Sequence, residues 1–326
     1  MRVLITGITG FVGSHLAEYC LEKGDKVFGT VFPNHLGYET KNIDDLINKL
    51  TLFQGDLLDY GFVYETIRKA KPDVIFHLAA QSFVQDSFKS PELTLKTNIF
   101  PELNIFEAIK SLNWIEKVKV HIAGSSEEYG KVDKKECPLK ENSSLRPLSP
   151  YAVSKITQDF LAQQYYRSWG LKAVITRAFN HEGARRDRRF VLSTFAEQIV
   201  RIERGLQDPV IKVGNLTSYR DFTDVRDMVR AYYLAIRKCE YGMPYNIGSG
   251  KVYQISKCLE ILLTLTTYKG KISVVEDASR IRPSDVEMLH ADPSVFVKKT
   301  GWKPKYKIGE TLKSILDYWR EEYSEI

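Results

Sequence analysis

The chain has 326 residues, 43% apolar and 27% charged, with a formal charge of +6. That balance fits a folded globular protein holding one large α/β unit or two lobes, and excludes a disordered or fibrous chain. Lysine and arginine are scattered, with no basic stripe interleaved with aromatics, which argues against nucleic-acid binding.

No apolar run approaches the roughly 18 residues of a membrane span, and the chain opens on a core strand without a charged leader, so a cytoplasmic protein with no membrane segment is expected. Cys20, Cys137, Cys239 and Cys258 are far apart and lack C-x-x-C spacing, so neither disulfides nor zinc are expected. His15, His35, His77, His121, His181 and His290 show no ligand spacing, and no metal is expected. His77 and His121 fall in strand patterns and read as hydrogen-bonded core groups.

Met1–Gly13 reads as a buried strand entering a glycine-rich turn and a helix. Gly7 suits the tight turn and Gly10 a close backbone approach to a pyrophosphate. Gly13 suits close packing of the helix on the strand, and the helix N-terminus offers free N–H groups to the phosphates. Ser14–Lys23 has helical periodicity, with Leu16, Cys20 and Leu21 on one face. Lys26–Val31 is the second strand. It ends in Thr30-Val31-Phe32-Pro33-Asn34, without the acid that would hold a ribose 2′-OH or the arginine that would suit a 2′-phosphate. The missing acid tilts the expectation towards NADP, with NAD as the alternative.

His35–Lys49 reads as a loop and short helix, Leu52–Gln54 as a third strand, and Phe62–Ala70 as a helix. Asp56, between the last two, either meets the adenine amino group or caps its own turn. Asp73–Leu78 is almost wholly apolar, as a parallel strand buried on both faces should be. It ends in Ala79-Ala80-Gln81-Ser82, small enough for backbone to lie beside a cofactor. Pro91–Ser111 is a long helix, and Val118–Ala123 a fifth strand running into Gly124-Ser125-Ser126-Glu127-Glu128-Tyr129-Gly130. Strands and helices alternating every 25–30 residues or so predict a doubly wound parallel sheet with right-handed crossovers, an α/β Rossmann architecture. Ligands bind beyond the carboxyl ends of such strands, where Gly7, Ala79 and Ser125 all fall.

Tyr151–Trp169 is a helix and Ala173–Arg177 a strand, followed by Ala178–Gly183 and loops rich in Arg and Asp. Residues 1–179 are read as the dinucleotide-binding domain. Residues 180–326 are read as mainly a smaller mixed α/β substrate lobe with segments returning to the sheet. Tyr151 and Lys155, four apart at a helix start, share one face. A phenol is too weak an acid to act as a base at neutral pH unless a nearby cation lowers its pKa.

With TGITGFVG, HLAAQS, Gly124–Gly130, YAVSK and FNHEG in hand, the whole chain resembles an extended short-chain dehydrogenase/reductase of the nucleotide-sugar branch. Its closest likeness is to GDP-mannose 4,6-dehydratases and their sister GDP-4-keto-6-deoxy-mannose reductases. FNHEGARRDRRFV resembles the dehydratases, VGNLTSYRDFTDVRD and GSSEEYG the reductases, and RPSDVE both. The resemblance implies a GDP-sugar substrate, for which a mildly basic surface is suited. It also implies a homodimer through a four-helix bundle of the helices beginning near Pro91 and Tyr151, with a tetramer as the extension. The favoured reaction is dehydration of GDP-mannose. The reductase is the alternative, followed by a nucleotide-sugar 4-epimerase or 4-dehydrogenase.

By the same resemblance Tyr151 is the base or acid, Lys155 binds the nicotinamide ribose and lowers the tyrosine pKa, and Ser125 bonds the reacting oxygen. Glu127 removes the C5 proton made acidic by a C4 ketone and then protonates the departing water. Cofactor contacts are implied at Gly7, Thr9, Gly10, Phe11, Val12, Gly13, Asp56, Leu57, Leu78, Ala79, Ala80, Ser82 and Asn98, besides Tyr151 and Lys155. Substrate contacts are implied at Gln81, Ser82, Ser126, Glu127, Asn180, Arg185, Val191, Arg220, Arg282 and Glu287, with Asn180 and Arg220 on the diphosphate and Glu287 on the ribose. Three departures from the dehydratase pattern stand out. Ser125 replaces a threonine, Phe11-Val12 replaces Gln-Asp, and Glu128 replaces an apolar residue and is expected behind the site or in solvent.

Overall fold

The computed structural model describes residues 1–33, 40–280 and 286–324. Strand β1 (Arg2–Thr6) is buried from Val3 onward. The chain then turns through Gly7, at φ +67°, into α1 (Phe11–Glu22). This helix begins three residues before the predicted Ser14, because the backbone of Gly10 serves as its cap and draws Phe11, Val12 and Gly13 into the first turn. β2 (Lys26–Val31) has its predicted bounds. His35–Glu39 lies outside the described residues, and Lys41–Lys49 forms 3-10 turns. β3 (Thr51–Gln54), α2 (Tyr60–Ala70) and β4 (Val74–His77) follow, within two residues of expectation.

A short helix absent from the sequence reading, α3 (Val84–Lys89), precedes α4 (Pro91–Ser111). β5 (Lys119–Ser125) and α5 (Pro150–Trp169) come next. The N-cap Ser149 of α5 accepts from the Ala152 N–H at 3.1 Å, Pro150 sits where no N–H is needed, and Gly170 closes the helix at φ +72°. β6 (Lys172–Ala178) then completes the run of parallel strands that the sequence predicts.

The later elements are β7 (His181–Glu182), α6 (Val191–Glu203), β8 (Val210–Val213), β9 (Tyr219–Asp221), β10 (Thr223–Asp224), α7 (Val225–Lys238) and β11 (Pro244–Ile247). They continue as β12 (Val252–Gln254), α8 (Ile255–Thr264), β13 (Ser273–Glu276), β14 (Met288–Leu289), α9 (Ser294–Thr300) and α10 (Ile308–Glu322). The main sheet runs β11-β6-β5-β4-β1-β2-β3, parallel throughout, with β11 paired on β6. The predicted doubly wound fold is therefore borne out. α1 and α7 bury Leu16, Cys20, Met228 and Tyr232 on one face of the sheet. α2, α4 and α5 bury Val63, Ile67, Ile105, Ile109 and Ala162 on the other. A separate core joins α6, α8 and α10 through Phe195, Ile199, Leu259, Leu262 and Leu312. Among the described residues no helix is long and apolar enough to cross a membrane.

Gly13 is the tightest joint of the glycine-rich turn. A Cβ there would lie 2.2 Å from the Gly7 carbonyl oxygen and 2.9 Å from Ile8 Cα, both backbone atoms. Gly13→Ala should therefore push α1 off β1, costing about 1–3 kcal/mol of stability, and should abolish dinucleotide binding. Thermal melting and fluorescence titration with NADPH check this; unchanged binding would refute it.

Candidate active site

The carboxyl ends of β1, β4 and β5 open on one cleft. Beneath its floor Thr6 ties two of them together. Its hydroxyl bonds His77 Nδ1 at 2.9 Å and accepts from the Leu78 and Ala79 N–H groups at 3.1 and 3.2 Å. A Cβ on Gly7 would strike Ala79 Cα at 2.9 Å, so the two loops need glycine to lie this close. The Gly10 cap brings no side-chain acceptor to the first N–H groups of α1, which leaves them for an anion. A dinucleotide pyrophosphate fits this cradle. Gly7, Gly10, Phe11, Val12, Gly13, Leu78, Ala80 and Ser82 line the cleft with Tyr151 and Lys155.

Ser125 caps a 3-10 turn, Ser126–Glu128, at the end of β5. Its Oγ accepts from the Glu127 N–H at 3.2 Å, while its own N–H donates to Glu128 Oε1 at 2.7 Å. Glu127 and Glu128 thus point to different places. Glu127 is half-buried and borders both the cofactor cleft and a neighbouring cavity. Glu128 is fully buried, with Oε2 3.3 Å from Arg177 Nε, and Arg177 also holds Asp159 at 2.7 Å. Burial and the Asp159 charge push the Glu128 carboxyl up. Of the two places expected for Glu128, the structure has the one behind the site, sealed there by Arg177 from β6.

Tyr151 is buried against this turn. Burial, then the charges of Glu127 and Glu128, push its phenol up to about 12, while a hydrogen bond with Ser125 and the charge of Arg186 pull it down. Lys155 donates to the Ala123 carbonyl and to Gln158 Oε1, both at 2.9 Å. Burial lowers the lysine to about 8 against the opposing pull of Glu102 and Glu128. His77 and His121 are buried and neutral, each pushed to about 3 mainly by burial. The Thr176 hydroxyl bonds His121 Nε2 at 2.9 Å, in keeping with their reading as core groups.

The second cavity is lined by Asn180, Val191, Arg220, Lys212, Asn215 and Arg280, among others. Arg220 reaches it from β9, with Nη1 donating to the Val286 carbonyl at 2.8 Å. Ser126 is buried in the wall of the first cleft, which Asn180 also borders. Other expected contacts stand elsewhere. Asp56 Oδ1 accepts from the Leu58 N–H at 2.9 Å, which is the turn-capping alternative. Leu57 packs into the core on its face of the sheet, its carbonyl held by Asn104. Thr9 offers its carbonyl to Asn42, and Asn98 is spent on the Gln81 backbone and the Ser154 hydroxyl. Ala79 and Gln81 back the loop rather than line its cavity; Gln81 Nε2 bonds the Phe83 carbonyl.

Arg185 is a correction: at φ +68° it turns from the cleft to pair with Glu18 on α1 at 2.6 Å. Glu287 is another. Its carboxylate is 64% exposed and sits 3.6 Å from Lys134 instead of in the cavity. Arg282 lies outside the described residues. The sequence reading missed Arg186, whose guanidinium lies 3.5 Å over the Phe190 ring and 4.8 Å from that of Phe11, within the cleft. It also missed Tyr232 of α7, which closes the cleft behind Tyr151.

A model of the GDP-mannose 4,6 dehydratase family matches residues 4–315. The GDP-6-deoxy-D-mannose reductase of Pseudomonas aeruginosa is 30% identical over 324 residues, covering 99% of both chains. The GDP-mannose 4,6-dehydratase of Vibrio cholerae is 31% identical over 347 residues, covering 96% of this chain and 92% of its own. The solved structure of RMD from Pseudomonas aeruginosa complexed with NADPH has a TM-score of 0.84 at 28% identity, covering 99% of this chain and all of the other.

Proposed function

We infer that this chain, which belongs to the GDP-mannose 4,6-dehydratase family, is a nucleotide-sugar dehydratase converting GDP-mannose to GDP-4-keto-6-deoxy-mannose. The observation that carries this reading is Glu127, a half-buried carboxylate on the border of the two cavities and one turn from the Ser125 hydroxyl. When bound, a nicotinamide cofactor supplies a hydride acceptor and donor. Tyr151 takes the proton of the sugar C4 hydroxyl while Ser125 hydrogen-bonds the same oxygen. Glu127 takes the C5 proton, acidified by the adjacent ketone, and delivers it to the oxygen leaving C6 as water; with the C4 hydride returned to C6, the proton held by Tyr151 goes to C5 and closes the balance. Arg220 and Asn180 hold the diphosphate in the second cavity. Incubation with GDP-mannose and a trace of NADP far below the substrate, followed by mass analysis, tests the reading: loss of one water from more substrate than there is cofactor supports it, and an unchanged mass rejects it.

The reductase is the second reading, favoured by the reductase relative that matches this chain end to end. It predicts stoichiometric NADPH oxidation with a 4-keto-6-deoxy GDP-sugar. NADP is the preferred cofactor in either reading, because no acid closes β2. Comparing dissociation constants for NADPH and NADH tests that preference. A cytoplasmic location agrees with four cysteines that are all free.

A homodimer through α4 and α5 accords with their outer faces. Leu93 and Phe100 on α4, and Val153 and Phe160 on α5, are 58%, 52%, 42% and 51% exposed. Each pair is seven residues apart, so each helix shows one apolar stripe. Phe160→Glu should give a monomer by light scattering at concentrations where the parent is a dimer. A monomeric parent, or a variant that still pairs, refutes the assignment.

A further inference from the structure

Ser125 is held at two points and bonds Tyr151 from there. Its Oγ accepts from the Glu127 N–H at 3.2 Å, which leaves the hydroxyl proton for another acceptor. Its backbone N–H donates to Glu128 Oε1 at 2.7 Å, the other half of a capping box. Glu128 folds back over β5 to do this. A Cβ on Gly124 would lie 2.7 Å from that same Oε1, so glycine leaves the room the carboxyl needs.

The far oxygen of Glu128 is anchored on Arg177. Arg177 stands beside Gly124 in the register of β5 and β6. Its Nε lies 3.3 Å from Glu128 Oε2 and 2.7 Å from Asp159 Oδ2. Its Nη1 donates to the Glu141 carbonyl at 2.8 Å and to the Tyr129 hydroxyl at 3.2 Å. Asp159 belongs to α5. Tyr151, Lys155 and Asp159 follow one another at four-residue steps and so share one face of that helix. Glu128, Arg177 and Asp159 are all buried. One guanidinium therefore ties the turn that carries Ser125 to the helix face that carries Tyr151. Buried ionic groups are often replaceable by apolar ones at no cost in stability, and the dehydratase pattern has an apolar residue where this chain has Glu128. Stability alone does not account for the cluster.

We propose that Glu128 is a positioning residue for Ser125: braced on Arg177 and Asp159, it fixes the Ser125 hydroxyl against Tyr151. This rests on the reading of Ser125 as the group that bonds the reacting oxygen. Placement on this scale matters, because a shift of about 1 Å in a reacting group can cost a hundredfold in rate.

The test is a double-mutant cycle read on hydride transfer. Transfer between the sugar C4 and nicotinamide belongs to the dehydratase and the reductase alike. Nicotinamide absorbance in a single turnover, with GDP-mannose or the 4-keto-6-deoxy sugar, therefore reports it whether or not water is lost. Glu128→Leu should slow the step about tenfold, with the dissociation constants for NADPH and the GDP-sugar unchanged. Starting from Ser125→Ala, the same substitution should cost less than about twofold, because no hydroxyl remains to be placed. Arg177→Lys keeps a cation but cannot brace two carboxyls at once. It should repeat both results, and it carries the test if Glu128→Leu fails to fold. A lowered melting temperature with an unchanged hydride rate overturns the proposal, since the contacts would then serve the fold alone. So does a full tenfold loss on top of Ser125→Ala, which would mean that Glu128 does not act through Ser125.

Discussion

Tyr151→Phe should lower kcat by about three orders of magnitude, in the upper part of the range for removing a positioned acid–base group, while NADPH still binds with little change in affinity. The substitution removes one oxygen from a ring that is 8% exposed. The ring contacts that seat α5 against the turn after β5 remain, so folding should survive. The hydroxyl is what matters, because it sits beside Ser125 at the mouth of β5. Lys155 is engaged with Ala123 and Gln158, and Tyr232 is buried behind Tyr151 with its phenol raised further by burial. Single-turnover measurements with saturating substrate read the effect. A loss of less than tenfold would mean that Tyr151 is not the base.

Much of this was legible in the chain because the same residues serve fold and site. A strand such as Val74–His77, buried on both faces, has to be apolar throughout, and the glycines that let β1 approach β4 also bare the backbone to phosphate. What escaped prediction depends on partners distant in sequence or on one-residue phase. Glu128 looks like its neighbour in sequence, but Arg177, 49 positions later, draws it inward. Arg185 and Arg186 are adjacent and chemically equal, yet the positive φ at Arg185 aims one at Glu18 and leaves the other in the cleft. No periodicity reports that choice. The resemblance puts Asn98 and Asp56 on the cofactor, while Asp56 accepts from Leu58 within its own turn and Asn98, inside α4, bonds the Gln81 backbone and the Ser154 hydroxyl of α5. A polar residue near a strand end serves the loop as readily as the ligand.

Glu127→Gln should stop water loss from GDP-mannose, with a fall of about 10²–10⁴ as expected for a deleted general base, and should do so without disturbing the site. Its backbone N–H is tied to Ser125, and the amide is nearly isosteric with the carboxylate, so the turn should keep its shape. Glu128 cannot substitute, because its carboxyl is fully buried and committed to the Ser125 N–H and Arg177. The sugar C4–H should still be oxidised, since Tyr151 and Ser125 are intact. A slow rise in near-ultraviolet nicotinamide absorbance without product is therefore the expected trace. The same variant separates the two readings of the protein. Reduction of a 4-keto sugar needs a proton donor at O4 and nothing at C5, so a reductase should lose no more than a few-fold on Glu127→Gln. Continued dehydration by the variant would remove Glu127 from the chemistry, and with it the observation on which the dehydratase assignment rests.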